Sequence, residues 1–208
     1  MPAQGEPTAT LLLRHGQTPM SVQKRYAGRS DIPLTDVGLQ QAAAAAKRLA
    51  SAGIDVIVAS PLLRARQTAG EVAATTGVPV VTDDGFRETD FGAWEGLTFA
   101  EVRERWPAEV SAWLADPAVP PPDGESFAEV SERVTGALQR VLADRAGQTV
   151  LIVSHVTPIK TLVTTALLAP PAALYRMHLD VAALCEIDWY ADGPAVLRSF
   201  NDTGHLAG

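Results

Sequence analysis

The chain has 208 residues, 47% of them hydrophobic and 20% charged, with a net charge of −7 and one cysteine. The length favours one domain with a small insertion, and the hydrophobic share excludes a largely disordered chain. The negative charge argues against nucleic acid or an anionic membrane as a partner. One cysteine excludes an intrachain disulfide, and no apolar run approaches the roughly 18–20 residues of a membrane-spanning helix. Since the start does not resemble a secretion signal, we expect a cytoplasmic protein that does not bind membranes.

Residues 1–9 predict a flexible lead-in or linker, because they are polar and contain prolines and a glycine. One domain is expected over residues 10–208. Short apolar runs that stop at charged residues or glycine are typical of buried strands. Such runs predict strands at residues 10–14, 55–59, 78–82, 150–154, 182–190 and 195–200.

Helical patterns lie between these strands. Thr35 predicts the N-cap of a helix that closes at Gly53. Thr98 and Ser126 each stand three residues before a glutamate, which is the spacing of a capping box. A threonine before a proline at residues 157–158 predicts the start of the last long helix.

Strands that alternate with helices indicate an α/β fold with layers around a mainly parallel sheet. The proline-rich residues 107–125 interrupt the alternation, and they predict a small helical and loop insertion over one edge of the sheet.

Polar residues follow the predicted strands at the edge of the sheet where ligands bind in such folds. Arg14 and His15 follow the first strand, Arg64 follows the second, and His155 follows the fourth. Glu88 comes after the third strand. We therefore expect two histidines, two arginines and a carboxylate at one site.

This set suits a phosphate monoester. Arginine forks match phosphate oxygens, and a histidine beside two arginines is kept neutral and nucleophilic near pH 7. Such a histidine can attack phosphorus and form a phosphohistidine, while a second histidine stabilises the charge on the phosphoryl oxygens. A carboxyl group can protonate the leaving oxygen and then activate water.

Five motifs in chain order resemble the histidine phosphatase superfamily, in the branch that contains cofactor-dependent phosphoglycerate mutases, fructose-2,6-bisphosphatases and α-ribazole phosphatases. The resemblance runs from residue 10 to about residue 170. The motifs are Arg14-His15-Gly16, Pro33-Leu34-Thr35 with Gly38 and Gln41, Ser60-Pro61 with Arg64, Gln67 and Thr68, Glu88 with Phe91-Gly92 and Trp94-Glu95-Gly96, and Ser154-His155.

The resemblance implies a phosphoglycerate mutase-like three-layer α/β/α sandwich and a site without metal or other cofactor. By position, His15 matches the phosphorylated nucleophile and Glu88 matches the proton donor. Arg14, Arg64 and His155 match the rest of the phosphate pocket. The full set of substrate-binding positions that the resemblance implies is Arg14, Gln17, Ser21, Gly28, Arg64, His155 and Val156.

Three of these positions depart from the pattern. Gln17 stands where relatives commonly carry glutamate, Ser21 where they carry asparagine, and Val156 where many have glycine. These departures leave the identity of the substrate open rather than the type of reaction.

Two residue assignments stay open. Asp90 and Glu95 compete with Glu88 for the role of proton donor. The tryptophans either line a substrate lid or pack in the core; those concerned are Trp94, Trp106 and Trp113.

The sequence predicts a phosphoric monoester hydrolase acting on a small molecule, and the stretch around His155 resembles CobC-like acid phosphatases most closely. A phosphoglycerate mutase-type isomerase is the main alternative, and a non-catalytic module that binds a phosphate ligand is a weaker one. A homodimer and an N-terminal fusion domain such as RNase H are also left open as partners.

Overall fold

A computed structural model describes residues 5–207 of the chain. Part of the predicted lead-in, residues 1–4, lies outside these residues. The first strand begins at Thr8 rather than at residue 10, because Thr8 and Ala9 pair with Trp189 and Asp188, and Ala9 also pairs with Thr149. The prediction that the lead-in extends to residue 9 is therefore wrong at its last two positions.

Six strands form one sheet in the order β3-β2-β4-β1-β5-β6. The pairs β2–β3, β2–β4 and β1–β4 are parallel, whereas β5 pairs antiparallel with β1 and with β6. The strands are β1 (Thr8–Arg14), β2 (Val56–Ala59), β3 (Val80–Thr82), β4 (Thr149–Ser154), β5 (Leu184–Trp189) and β6 (Ala195–Asp202). All six predicted strands are confirmed. Most of their ends shift by one or two residues, and the other ends are as predicted.

Seven α-helices accompany the sheet within the described residues. They are α1 (Pro19–Val22), α2 (Asp36–Leu49), α3 (Leu63–Thr76), α4 (Phe99–Arg105), α5 (Pro107–Ala115), α6 (Phe127–Asp144) and α7 (Val156–Ala166). The predicted caps are present: Thr35 accepts from the Gly38 N–H, and Thr98 and Ser126 each form a complete capping box. Residues 107–125, the predicted insertion, contain α5 followed by a proline-rich loop.

Two helix ends differ from the prediction. Helix α2 ends at Leu49, and Gly53 lies beyond it at a φ of 65°, in the loop that leads to β2. Helix α7 begins at Val156 with His155 as its N-cap, so the predicted start at residues 157–158 is wrong. The chain turns into the helix as soon as it leaves β4, and this exit rather than a capping side chain sets the helix start.

The side chains of each central strand alternate between two helical layers, as expected for a sheet buried on both faces. In β1, Leu12 packs in a cluster with α6 and α7, whereas Leu13 packs in a cluster with α2 and α3. In β4, Ile152 and Val153 divide in the same way. The three-layer α/β/α sandwich is thus confirmed, with helices packed on both faces of the sheet.

A third apolar cluster sits over the edge of the sheet where β1 and β4 end. It joins residues from α4, α5 and the start of α6 to the loop around Phe91. Its members include Phe91, Trp94, Trp113 and Phe127. This cluster forms a cap above the strand ends.

Candidate active site

The two histidines meet because β1 and β4 are parallel neighbours. Arg14 and Ser154 are partners in the register, so His15 and His155 leave the sheet side by side. The His15 N–H donates to the Ser154 carbonyl at 3.1 Å, and the two imidazole centroids are 5.1 Å apart. The predicted convergence of residues 140 positions apart is therefore a direct result of strand order.

His15 is held in one orientation with one nitrogen available. Its side chain is buried, with 6% exposure, and Nδ1 lies 2.7 Å from the Gly16 carbonyl oxygen. Since a carbonyl only accepts, Nδ1 carries the proton and Nε2 keeps a lone pair. Burial first, and then the charges of Arg14 and Arg64, lower the pKa of His15 well below its ordinary value. The ring is therefore neutral and nucleophilic at neutral pH.

Two buried guanidinium groups flank this ring. Nη1 of Arg14 donates to the Leu179 carbonyl at 2.6 Å, and burial lowers the pKa of Arg14 to about 10. Arg64 has no exposed surface, and its terminal nitrogens donate to the carbonyls of Ala27, Gly28 and Ser30 at 2.7–2.8 Å. Both groups remain cationic at neutral pH, so they create a positive potential at the ring.

His155 lies fully buried beneath the site. Its Nε2 is 2.7 Å from Oγ of Ser60, which follows β2, and its Nδ1 has no partner within the described residues. Burial and the charges of Arg64 and His15 lower the pKa of His155 well below its ordinary value. Ser60 thereby fixes the position of Nε2 and leaves Nδ1 without a partner within the described residues.

The Glu88 carboxylate points at the start of α7. Its oxygens accept from the Thr89 N–H at 2.8 Å and from the Thr157 N–H at 3.3 and 3.4 Å. Arg133 of α6 fixes the backbone of this loop, because it donates to the carbonyls of Gly85, Arg87 and Glu88 at 2.7–3.0 Å. The same guanidinium forms an ion pair with Glu125 at 2.6 Å.

Asp90 and Glu95, the competitors for the role of Glu88, are occupied elsewhere. Asp90 pairs with Arg29 at 2.9 Å. Glu95 accepts from the N–H groups of Gly28 and Arg29 at 2.8 and 3.0 Å. Neither residue lines the cavity, whereas Glu88 does.

A cavity of about 300 Å³ opens above these groups. Arg14, His15 and Glu88 line its floor, together with Val156 and Thr157 at the start of α7. Its opposite side is an aromatic wall, which we define as Tyr26, Phe91, Trp113, Phe127 and Tyr175. The site thus joins a charged floor to an apolar wall.

The aromatic wall is closely packed. Trp113 lies 5.0 Å from Phe127 and 5.9 Å from Tyr175 between ring centroids, and the Tyr175 hydroxyl donates to the Trp113 carbonyl at 3.1 Å. Trp113 comes from the insertion and reaches the cavity, whereas Trp94 is fully buried in the cap and Trp106 is partly buried against it.

Further residues of the five motifs fix the loop that follows His15. A Cβ on Gly16 would collide with the Gly38 carbonyl, and one on Gly38 would collide with the Gln17 carbonyl. The His15 loop and α2 therefore touch backbone to backbone. The Gly16 N–H donates to Oγ1 of Thr68 at 3.2 Å, which ties the same loop to α3.

The implied substrate-binding residues do not all reach the cavity. Ser21 and Val156 line it, although the Ser21 hydroxyl already donates to the Thr18 carbonyl at 2.8 Å. Arg64 and His155 lie buried behind His15 and do not line the cavity, and Gln17 and Gly28 are not among the lining residues either. The Gln17 side chain accepts from the Thr35 hydroxyl at 2.9 Å, and the Gly28 N–H is taken by Glu95. Their contacts in the structure are thus with neighbouring protein groups.

Several residues on the cavity were missed by the sequence analysis. Lys160 and Thr157 lie on α7, one turn apart, and Tyr26, Phe91 and Tyr175 complete the wall. The spacing from Val156 and Thr157 could have signalled Lys160, because residues three and four apart share a helix face. Phe91 belongs to the Glu88 motif, but nothing in the local sequence signals Tyr26 and Tyr175, which come from distant segments.

Residues 10–203 match the family described as Histidine phosphatase superfamily (branch 1). The chain belongs to this superfamily. The resemblance drawn from the five motifs is therefore confirmed, and so is the fold class. Within residues 5–207, no helix is long and apolar enough to cross a membrane, and no group of three or more metal-ligating side chains is present.

Named relatives within the superfamily extend the comparison. "Bifunctional protein Rv2228c" of Mycobacterium tuberculosis is 51% identical over 205 residues, covering 98% of this chain and 56% of the relative. This chain thus spans little more than half the length of that relative. "Probable phosphoglycerate mutase GpmB" of Yersinia enterocolitica is 36% identical over 203 residues, covering 94% of this chain and 93% of the relative.

The fold is also close to that of a solved phosphatase. The mycobacterial glucosyl-3-phosphoglycerate phosphatase Rv2419c, in complex with VO3, is 30% identical with a TM-score of 0.87. The superposition covers 94% of this chain and all, 100%, of that protein. The enzyme class expected from the sequence, a phosphoric monoester hydrolase, is confirmed at the level of the domain family.

Proposed function

We propose that this domain hydrolyses a small phosphate monoester through a phosphohistidine on Nε2 of His15. One observation carries the proposal. Among the buried side-chain nitrogens without a hydrogen-bond partner within residues 5–207, three belong to the charged residues and the second histidine around His15: Nε of Arg14, Nε of Arg64 and Nδ1 of His155. Unpaired buried donors are rare and costly, so a ligand that accepts from all three is favoured. A phosphoryl group offers the necessary oxygens and negative charge.

In the first half-reaction, the lone pair on Nε2 of His15 forms a bond to phosphorus, and the bond from phosphorus to the ester oxygen breaks. Arg14, Arg64 and His155 stabilise the charge on the equatorial oxygens. Glu88 gives its proton to the departing oxygen, so the alcohol leaves as a neutral molecule.

In the second half-reaction, the Glu88 carboxylate takes a proton from water, and the water oxygen attacks phosphorus. The bond from phosphorus to Nε2 breaks, and phosphate leaves as His15 recovers its lone pair.

The test is phosphate release from p-nitrophenyl phosphate and a panel of phosphorylated metabolites between pH 4 and 8. We expect His15→Ala to lower turnover by at least about 10³-fold. His178→Ala is the matched control, because this side chain is 80% exposed and does not line the cavity. An acid-labile, base-stable phosphoenzyme should be trapped in the wild type only. Full activity in His15→Ala would refute the proposal.

A mutase activity is the second candidate, favoured by the similarity to the protein named as a phosphoglycerate mutase. Conversion of 3-phosphoglycerate into 2-phosphoglycerate without net phosphate release would support it. Activity measured in the presence of a chelator distinguishes both candidates from a metal-dependent enzyme. We expect activity to survive chelation, because the two guanidinium groups beside His15 repel a metal cation.

The finer predictions also belong to this proposal. The acid-phosphatase character, the similarity to CobC-like enzymes, the cytoplasmic location and a homodimer remain predictions that activity profiles and solution mass can check. An N-terminal fusion domain such as RNase H remains a prediction as well.

A further inference from the structure

Lys160 is a cation on the cavity that the proposed chemistry does not use. It lies on α7, one turn after Val156 and Thr157, and lines the cavity with them. Its ammonium group donates to the Leu174 carbonyl at 3.2 Å. An ammonium has three donors, and no ion pair among residues 5–207 involves Lys160.

The position of Lys160 is on the side of the leaving group. Glu88, which would protonate the leaving oxygen, is bonded to the Thr157 N–H on the same face of α7. On its other side, Lys160 contacts Leu174, which lines the cavity beside Tyr175 of the aromatic wall. The ammonium therefore stands between the proton donor and the apolar wall.

The phosphoryl group has its own donors. Arg14, Arg64 and His155 supply three unpaired nitrogens around His15. The half-buried Lys160 lies beyond them, and burial lowers its pKa while the Glu88 carboxylate raises it. Placing a cation there is costly unless an anion compensates it, and a single long bond to a carbonyl compensates it poorly.

We propose that Lys160 binds a second anionic group, carried by the alcohol part of the substrate, whose apolar body packs against the aromatic wall. This inference rests on the proposed function, because Glu88 defines which side holds the alcohol. The substrate class is a phosphate monoester of an apolar or planar alcohol that bears a carboxylate or a second phosphate. Lys160 is then a residue that determines specificity.

Matched esters test the inference. Meta- and para-carboxyphenyl phosphate carry the second anion, and the corresponding carbamoylphenyl phosphates are neutral isosteres with similar leaving groups. We expect wild-type kcat/KM to favour the carboxyphenyl member of at least one pair by about 10- to 100-fold, the range of a hydrogen bond to a charged group. Because the anion is remote from phosphorus, the preference should appear mainly in KM.

The variants separate charge from structure. Lys160→Met should reduce the preference by about 10-fold or more. Lys160→Gln should do the same, although glutamine can still donate to the Leu174 carbonyl, and Lys160→Arg should restore part of the preference. Lys47→Met is the control for loss of charge, because Lys47 is exposed on α2, away from the cavity.

The outcomes are distinct. If Lys160→Met lowers kcat/KM equally for the carboxyphenyl and carbamoylphenyl esters, Lys160 does not bind a second anion. The same conclusion follows if Lys160→Gln keeps the wild-type preference. If the wild type hydrolyses both esters through His15 without preference, this inference fails and the proposed function stands. If the wild type releases phosphate from neither ester nor any metabolite, both fail together.

Discussion

Oγ of Ser60 lies 2.7 Å from Nε2 of His155, and this contact sets the protonation pattern of the imidazole. The same Oγ accepts from the Leu62 N–H at 3.3 Å, so its own proton is available for Nε2. When Nε2 accepts, Nδ1 carries the ring proton and can donate. Ser60 therefore positions a donor without touching the substrate.

Ser60→Ala should lower kcat for p-nitrophenyl phosphate by about 10-fold or more, because the His155 tautomer is no longer fixed. The loss of one buried hydrogen bond should cost about 1–3 kcal/mol of stability, measured by urea unfolding. Ser51→Ala, at an exposed turn after α2, is the matched control. Wild-type kcat with a changed unfolding midpoint would limit Ser60 to a structural role.

Arg133→Lys should disturb the Glu88 loop, because lysine cannot reproduce a fork that donates to three carbonyls and pairs with Glu125. We expect a loss of about 1–3 kcal/mol in stability and a larger fall in kcat for alkyl phosphates than for p-nitrophenyl phosphate. Arg140→Lys on the same helix is the control, because its exposed pair with Asp83 contributes about 0–1 kcal/mol. Equal loss on both esters would contradict a positioning role.

Glu88→Gln should lower kcat for alkyl phosphates by about 10²–10⁴-fold, the usual contribution of a general acid. The effect on p-nitrophenyl phosphate should be far smaller in the first step, because p-nitrophenolate leaves without a proton. Burst kinetics separates the two steps. Asp90→Asn is the comparison, since Asp90 pairs with Arg29 and does not line the cavity. A leaving-group dependence in Asp90→Asn, but not in Glu88→Gln, would reverse the assignment.

The two buried histidines make stability depend on pH. The folded-state pKa values of His15 and His155 lie well below 6.5, whereas the unfolded chain has ordinary values near 6.5. Below about pH 6.5 the unfolded state binds more protons, so the free energy of unfolding falls on acidification. Each ring contributes a slope of up to about 1.4 kcal/mol per pH unit in that window.

Urea unfolding at pH 7.0, 6.5, 6.0 and 5.5 measures this slope. We expect a falling midpoint below pH 6.5 and a shallower slope in His155→Asn, which has one fewer titrating ring. A flat profile from pH 7.0 to 5.5 would contradict the depressed pKa values.

Much of this fold is encoded locally and could be predicted. Thr35, Thr98 and Ser126 cap their helices through contacts three residues away, so their signals lie within a short window. The start of α7 was misplaced because it depends on how β4 exits the sheet rather than on a capping side chain. The expectation that parallel strands end at one edge of the sheet was enough to group His15 with His155, whereas the pairing of β1 with β4 was not predicted.

The leaving-group side of the site could not be predicted in this way. Trp113 reaches the cavity only because α5 folds back over the sheet edge, and Tyr175 meets it from a segment 62 residues away. These contacts are set by tertiary packing, which leaves no periodic signal in sequence. Lys160 has a helical spacing to Val156 and Thr157, but its significance depends on the aromatic wall beside it.

The backbone contact between Gly16 and Gly38 has a consequence for the engineering of new specificities. Any side chain at either position would push the nucleophile away from the guanidinium groups, so this half of the pocket tolerates almost no variation in shape. The opposite half consists of side chains from α7, the insertion and the segment around Tyr175. A library that randomises Lys160, Trp113 and Tyr175 while leaving residues 14–18 untouched should change which alcohol is accepted and retain the phosphoryl chemistry.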